Sequence, residues 1–114
     1  MPQNKKISFI GCGRMAEAVI CGITRNKLFL SKNVFASDKD IHKLNSISKN
    51  YKINVSQDNK KNVWSGDIIV LAVKPQNVAD VLNRTKDHID SNKLFISIAA
   101  GISLEYLERL LKNV

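Results

Sequence analysis

The stretch Lys6-Ile-Ser-Phe-Ile-Gly-Cys-Gly-Arg-Met-Ala16 decides the fold, because a short apolar segment there runs into closely spaced glycines and then into a helical pattern. The spacing Gly11-x-Gly13-x-x-Ala16 is typical of a strand–turn–helix unit that binds the pyrophosphate of a dinucleotide. Gly11 permits the sharp turn, Gly13 lets the backbone approach the phosphates, and Ala16 lets the helix pack closely on the strand. The helix N-terminus presents free N–H groups to the anion. A tight turn that binds no ligand is the alternative interpretation.

Length and composition indicate one domain with its own core. The chain has 114 residues, of which 44% are hydrophobic, and no apolar run of about 18 residues that would predict a transmembrane helix. The first strand pattern begins too close to the N-terminus to leave room for a signal peptide, so we expect a cytoplasmic protein. Cys12 and Cys21 lack the spacing of a disulfide framework or a metal site. We interpret both as packing residues in a reducing compartment and expect no metal.

The chain is strongly basic, with a formal net charge of +8. Such a charge makes nucleic-acid binding an alternative to consider. The lysines are spread along the chain, however, and aromatic residues do not alternate with them as a stacking platform requires. We therefore predict no nucleic-acid partner and no membrane partner, and interpret the lysines as a solvated surface that also attracts an anionic cofactor.

Short apolar segments alternate with helical patterns along the chain. Strands are predicted at residues 7–10, 34–36, 51–55, 67–73 and 94–98. The segment 67–73 is apolar on both faces, as a central parallel strand covered by helices requires. Strands that alternate with helices predict an α/β fold, namely a Rossmann-type doubly wound parallel sheet in a single three-layer domain over residues 1–114.

Helices are predicted where apolar residues recur at helical spacing. The first has Met15, Val19 and Ile23 on one face, the second has Ile41, Leu44, Ile47 and Ser48 and ends at Asn50, and a later one begins at Pro75 with Val78, Val81 and Leu82 as its buried stripe. A helical turn is expected at 59–64, and Ser103 is predicted to cap a final helix that carries Leu104, Leu107, Leu110 and Leu111.

In an open α/β sheet, ligands bind beyond the carboxyl ends of the strands. Four loops leave those ends with distinctive sequences: the glycine turn at 11–16, the loop 37–39, the loop 72–76 and the loop 97–101. Because all four share one edge of the predicted sheet, they predict an extended groove for a cofactor.

The loop after the second strand bears on the choice between NAD and NADP. Asp38 would accept hydrogen bonds from the ribose 2′-hydroxyl of NAD and repel a 2′-phosphate, whereas Ser37 and Lys39 favour NADP. Asp38 is equally compatible with a turn residue that faces solvent. These residues alone leave the choice open.

The sequence contains no His–carboxylate pair, nucleophile motif or metal-ligand cluster near the predicted groove. His42 and His88 fall on predicted helices among polar residues, and we interpret them as surface residues. A nicotinamide would carry hydride chemistry itself, so the protein has only to bind and orient it.

Three segments together identify a family resemblance: Phe9-Ile-Gly-Cys-Gly-Arg-Met-Ala-Glu-Ala18, Asp67-Ile-Ile-Val-Leu-Ala-Val-Lys-Pro-Gln76 and Ser97-Ile-Ala-Ala-Gly-Ile-Ser103. In this order and spacing they closely resemble the N-terminal domain of pyrroline-5-carboxylate reductase, across essentially the whole chain. The resemblance implies an enzyme that reduces 1-pyrroline-5-carboxylate to L-proline with NAD(P)H, in proline biosynthesis. NADP(H) is favoured over NAD(H).

The resemblance also implies a role for each loop. Residues at the pyrophosphate would be Gly11, Cys12, Gly13, Arg14 and Met15. Ser37, Asp38 and Lys39 would flank the adenosine ribose, and Asn59 would approach the 2′-phosphate. Residues at the nicotinamide ribose would be Ala72, Val73, Lys74 and Pro75. Residues near the nicotinamide and the substrate would be Ala99, Ala100 and Gly101.

Members of this family have, beyond this domain, a C-terminal helical domain that forms the dimer and contacts the substrate. The sequence ends at Val114, before any such domain. We therefore expect the catalytic residues to lie in that domain, and the 114-residue chain to bind cofactor, to show little reductase activity and to be monomeric or weakly self-associating. The alternatives are a coenzyme F420-dependent NADP reductase, a competence-associated reductase-like protein, and a non-catalytic nucleotide-binding module.

Overall fold

The computed structural model of the chain describes residues 5–58, 66–85 and 94–97. These residues form five strands, β1 (Ile7–Ile10), β2 (Val34–Ser37), β3 (Asn54–Ser56), β4 (Ile68–Leu71) and β5 (Leu94–Ser97). Three α-helices accompany them, α1 (Arg14–Arg25), α2 (Ile41–Tyr51) and α3 (Pro75–Thr85). Within the described ranges, no helix has the length and apolar character needed to cross a membrane.

The strands form one parallel sheet in the order β3-β2-β1-β4-β5. Ile10, the last residue of β1, pairs with Ser37 of β2 on one side and with Leu71 of β4 on the other. The three strands therefore end level with one another. Successive strands lie to one side of β1 and then to the other, which opens a crevice beyond the strand ends. The predicted doubly wound α/β fold is confirmed.

The two faces of the sheet bury separate groups of side chains. On one face, Phe9 of β1 belongs to a cluster that contains Ile20 of α1 and Leu44 of α2. On the other face, Ile10 of β1 clusters with Val81 of α3. All five side chains are buried, and consecutive residues of a strand point to opposite faces. The sheet therefore lies between α1 and α2 on one side and α3 on the other.

The face of α1 that packs on the sheet differs from the one predicted. Met15 and Val19 are 62% and 37% exposed, whereas Ala16 and Ile20 are fully buried. Ile23 is half-buried against the same cluster. The prediction selected the larger apolar side chains, but the small side chain of Ala16 is what allows the helix to begin so close to β1. That contact rotates the large side chain of Met15 outward.

The prediction of a third strand at 51–55 was wrong at its start. Tyr51 is the last residue of α2, and its hydroxyl donates a hydrogen bond to Glu17 of α1 at 2.9 Å. Lys52 then adopts φ of 60°, and its N–H donates to the Ser48 carbonyl at 2.9 Å. A left-handed residue at this position is usually glycine or asparagine, so Lys52 gave no sequence signal of a helix end.

Smaller differences concern where elements begin and end. β2 continues to Ser37, β4 spans only Ile68–Leu71, and Ile41, expected on the buried face of the second helix, is 44% exposed. The third helix begins at Pro75 as predicted. The predicted turn at 59–64, Ile98, His88, the final helix, and the side chains of Val78 and Leu82 lie outside the described part of the chain.

Candidate cofactor-binding site

The glycine turn after β1 is held by backbone hydrogen bonds. The N–H of Gly11 donates to the Ser37 carbonyl at 2.7 Å, and the N–H of Ala72 donates to the Ile10 carbonyl at 2.8 Å. Gly11 has φ of 100°, and a Cβ there would lie 2.6 Å from the Ala72 carbonyl oxygen. The left-handed backbone and the close approach both require glycine. The fold itself therefore accounts for Gly11.

Gly13 is different, because its surroundings do not require glycine. It is the N-cap of α1 with φ of −71°, which any residue can adopt, and a Cβ built on it would meet no described atom within 4 Å. Within the described residues, no side chain caps α1. The N–H groups of the first turn of α1 are therefore available to a ligand. The open space beside Gly13 suits the close approach of an anion such as a pyrophosphate.

A cleft of about 340 Å³ lies beyond the carboxyl ends of β1, β2 and β4. Its walls come from the glycine turn, from the loop after β2 with the start of α2, and from the loop after β4 with α3. The lining residues are Ile10, Gly11, Cys12, Gly13, Ser37, Asp38, Lys39, Lys43, Ala72, Val73, Lys74, Asn77, Asp80 and Val81. Three of the four predicted loops therefore meet at one cleft.

The Asp38 carboxylate connects the glycine turn to the start of α2. Its Oδ2 accepts a hydrogen bond from the Cys12 N–H at 2.9 Å, and its Oδ1 accepts one from the Asp40 N–H at 2.9 Å. Asp40 in turn caps α2, since its Oδ1 accepts hydrogen bonds from the N–H groups of His42 at 2.9 Å and Lys43 at 3.3 Å. In this structure Asp38 is a half-buried turn residue whose carboxylate holds the glycine turn against the start of α2.

Cys12 lies beneath the turn with only 4% of its surface exposed. Burial raises the pKa of the Cys12 thiol to about 12, the Asp38 carboxylate acts in the same direction, and the Lys43 ammonium opposes both. The thiol is therefore protonated at neutral pH, and Cys12 serves as a packing residue. Cys21 is also a free thiol and is half-buried on α1.

The part of the chain that the structure describes contains no group of three or more His, Cys, Asp or Glu side chains that could hold a metal ion. His42 lies exposed on α2, as its polar neighbours predicted. The chemical character of the cleft therefore rests on backbone N–H groups, small apolar side chains and a few charges.

The sequence did not identify three polar residues that line the cleft, Lys43, Asn77 and Asp80. Lys43 lies in the first turn of α2, and the other two lie on α3. The sequence did contain a signal for these residues. A helix that begins just after the end of a strand has its first turns at the same edge of the sheet as the cleft. Helical spacing counted from Asp40 and Pro75 would have found these positions.

Two predicted site residues, Arg14 and Met15, do not line the cleft, because they are exposed in the first turn of α1. Pro75 is the first residue of α3, and its side chain lies outside the described part of the chain. The predicted residues Asn59, Ala99, Ala100 and Gly101 lie outside the described residues. The binding roles of these residues, and of those that line the cleft, stay predictions.

Comparison with known proteins bears directly on this site. The sequence profile of the family described as NADP oxidoreductase, coenzyme F420-dependent, matches residues 6–101. The chain belongs to this family. Its curated relatives include a pyrroline-5-carboxylate reductase from Methanosarcina acetivorans, 42% identical over 106 residues that cover 93% of this chain and 39% of the relative.

Solved structures agree with this assignment. A pyrroline-5-carboxylate reductase from Coxiella burnetii matches with a TM-score of 0.82 and 28% identity, over 94% of this chain and 40% of that one. The Plasmodium falciparum pyrroline carboxylate reductase with NADP bound matches with a TM-score of 0.75 and 33% identity, over 96% of this chain and 38% of that one. The resemblance to the N-terminal domain of pyrroline-5-carboxylate reductases is confirmed, and the chain spans about two fifths of these relatives' length.

Proposed function

We propose that the chain binds NADP(H) in this cleft and forms the cofactor-binding domain of a reductase that converts 1-pyrroline-5-carboxylate to L-proline. Gly13 carries the proposal, because it combines open space with the uncapped start of α1, and a dinucleotide pyrophosphate needs both. The bound cofactor supplies the hydride, and the residues of this chain bind and orient it.

Each wall of the cleft has its own proposed part of the cofactor to bind. The glycine turn holds the pyrophosphate, the loop after β2 faces the adenosine ribose, and residues 72–74 face the nicotinamide ribose. NADP bound to the Plasmodium falciparum relative supports NADP(H) over NAD(H). Asn59 near the 2′-phosphate, Arg14 and Met15 near the pyrophosphate, and residues 99–101 near the nicotinamide belong to the same proposal.

The proposal extends to the working enzyme. Residues 1–114 act as one cofactor-binding domain, and the substrate and oligomer contacts come from a helical domain of the kind found in the family. A cytoplasmic location follows from the same role. Activity of the whole protein on 1-pyrroline-5-carboxylate separates this function from that of an F420-dependent NADP reductase, the second candidate, which shares the family description.

Calorimetric titration with NADPH and NADH tests the proposed binding. The wild-type chain is expected to bind NADPH, and Gly13→Ala is expected to weaken that binding at least about tenfold, since the added methyl group takes the space of the pyrophosphate. Gly22→Ala is the matched control, because Gly22 lies on the same helix, also has nothing within 4 Å of a built Cβ, and does not line the cleft. Unchanged binding by Gly13→Ala, or no binding by the wild type, would contradict the proposal.

A further inference from the structure

The wall of the cleft after β2 carries charges of both signs within a short segment. Asp38, Lys39, Asp40 and Lys43 follow one another between the end of β2 and the first turn of α2. Their formal charges cancel, so composition predicts no preference for an anion. The directions in which the four side chains point therefore decide which charge a ligand meets.

The two carboxylates point toward the backbone. Both oxygens of Asp38 accept hydrogen bonds from N–H groups, those of Cys12 and Asp40, and Asp40 caps α2. Backbone N–H donors on a carboxylate offset part of its negative potential, so these side chains repel a phosphate less than free ones would. Asp40 occupies the N–H groups of His42 and Lys43 at the start of α2, which leaves fewer backbone donors for an anion at this wall.

The remaining hydroxyl at this wall is also turned inward. Ser37 is fully buried, and its Oγ donates to the Phe9 carbonyl at 3.5 Å. Sequence reasoning counted this hydroxyl among the groups that favour NADP. Among the residues that the structure describes, its position instead leaves the ammonium groups of Lys39 and Lys43 as the main side-chain donors for a phosphate at this wall.

Lys39 and Lys43 both line the cleft and both are exposed. Lys43, on α2, lines the same cleft as Gly11 and Cys12 of the glycine turn. In a doubly wound sheet, the loop after β2 approaches the adenosine ribose. Lys39 and Lys43 therefore line the part of the cleft where the 2′-phosphate of NADP is expected.

We propose that Lys43 is the residue that selects NADP(H) over NAD(H), by binding the 2′-phosphate with its ammonium group. This inference rests on the proposed function. Lys39 supplies a second positive charge. Asp38 is a positioning residue for the glycine turn and does not contact the ribose hydroxyls. The acidic residue that would ordinarily favour NAD therefore does not set the preference, and a lysine five residues further along the chain does.

Calorimetry with Lys43→Gln tests this assignment. An exposed charge-assisted contact with a phosphate predicts that NADPH binding weakens about 5- to 10-fold and that NADH binding changes less than about 2-fold. Lys43→Arg should restore most of the NADPH affinity, because arginine keeps the charge. The matched control is Lys49→Gln, an exposed lysine in the last turn of α2 that does not line the cleft. It should leave both affinities unchanged.

The outcomes separate this inference from the proposed function. NADPH binding by the wild type, with Lys43→Gln weakening NADPH and NADH equally or neither, would overturn the role of Lys43 alone. A wild-type chain that binds neither cofactor would overturn the proposed function and this inference with it. Because Lys43 is exposed, the variant is expected to unfold at the wild-type temperature, which a thermal melt checks.

Discussion

Gly11 and Gly13 lack side chains for different physical reasons, although the glycine pattern gives them equal weight. At Gly11 the backbone has φ of 100° and passes close to the Ala72 carbonyl, so the fold depends on glycine. At Gly13 the conformation is ordinary and the surroundings are open among the described atoms. One glycine therefore supports the turn, and the other leaves room for a ligand.

This difference predicts losses of stability of very different size for the same substitution at the two positions. Gly11→Ala should lower the free energy of unfolding by about 3 kcal/mol or more, because it adds backbone strain and a clash with a carbonyl oxygen. Gly13→Ala should cost less than about 1 kcal/mol, the usual difference between glycine and alanine at a helix N-cap. Urea unfolding of both variants measures the contrast. Equally large losses would show that the fold requires both glycines, and equally small losses would show that it requires neither.

Cys12 predicts a dependence of stability on pH. Its thiol ionises at about 12 in the folded chain against 9.0 for the reference group, so the unfolded chain loses the proton first as the pH rises. The stabilisation is complete below pH 9 and is lost as the pH rises toward 12. Relative to Cys12→Ser, the wild type should therefore lose up to about 1.4 kcal/mol per pH unit in that window. Urea unfolding at several pH values measures this difference, and parallel curves for the two proteins would contradict it.

The ends of α2 show how a single residue sets the boundary of an element. Asp40 caps its start, and Lys52 ends it in a left-handed conformation with φ of 60°. The start carries a recognised capping residue, whereas the end carries a lysine, which rarely adopts this conformation. For this reason the strand that sequence predicted at 51–55 began too early: the aromatic and β-branched residues there favour a strand, and nothing local announces the helix end.

Lys52 also offers a test at the level of the helix. Lys52→Gly should raise the free energy of unfolding by about 0.5–1 kcal/mol, because glycine adopts the left-handed conformation without strain. Asn45→Gly, at an exposed position inside α2, should lower it by up to about 1 kcal/mol. Thermal unfolding of the two variants measures both changes in stability, the increase and the decrease. A loss of stability in Lys52→Gly would show that Lys52 does not end the helix in this conformation.

In the whole molecule, the features that the sequence could predict are those that depend on local patterns. Strand–helix alternation and the glycine turn are local signals, so they identified the α/β class and the three described loops that line the cleft. The contact between Asp38 and Cys12 joins residues 26 positions apart, and the place of Lys43 in the cleft depends on how α2 packs on the sheet. Such tertiary arrangements leave no local pattern. The buried face of α1 was missed for the same reason, since the contact between Ala16 and the strand decides it.

The geometry of the whole sheet also predicts where the chain meets its ligand. Residues from β1, β2 and β4 converge at one edge, so a dinucleotide should contact all three loops at once. The opposite edge, which includes the C-terminal end of α1 at Arg25, should stay out of contact.

Backbone amide shifts of the ¹⁵N-labelled chain during titration with NADPH test this arrangement. We predict saturable changes at Gly11–Gly13, at Lys39 and Lys43, and at residues 72–74, with little change at Arg25 and Asn26. Changes concentrated at the opposite edge of the sheet, or no change at any NADPH concentration, would contradict the assignment of this cleft as the site of NADP(H) binding.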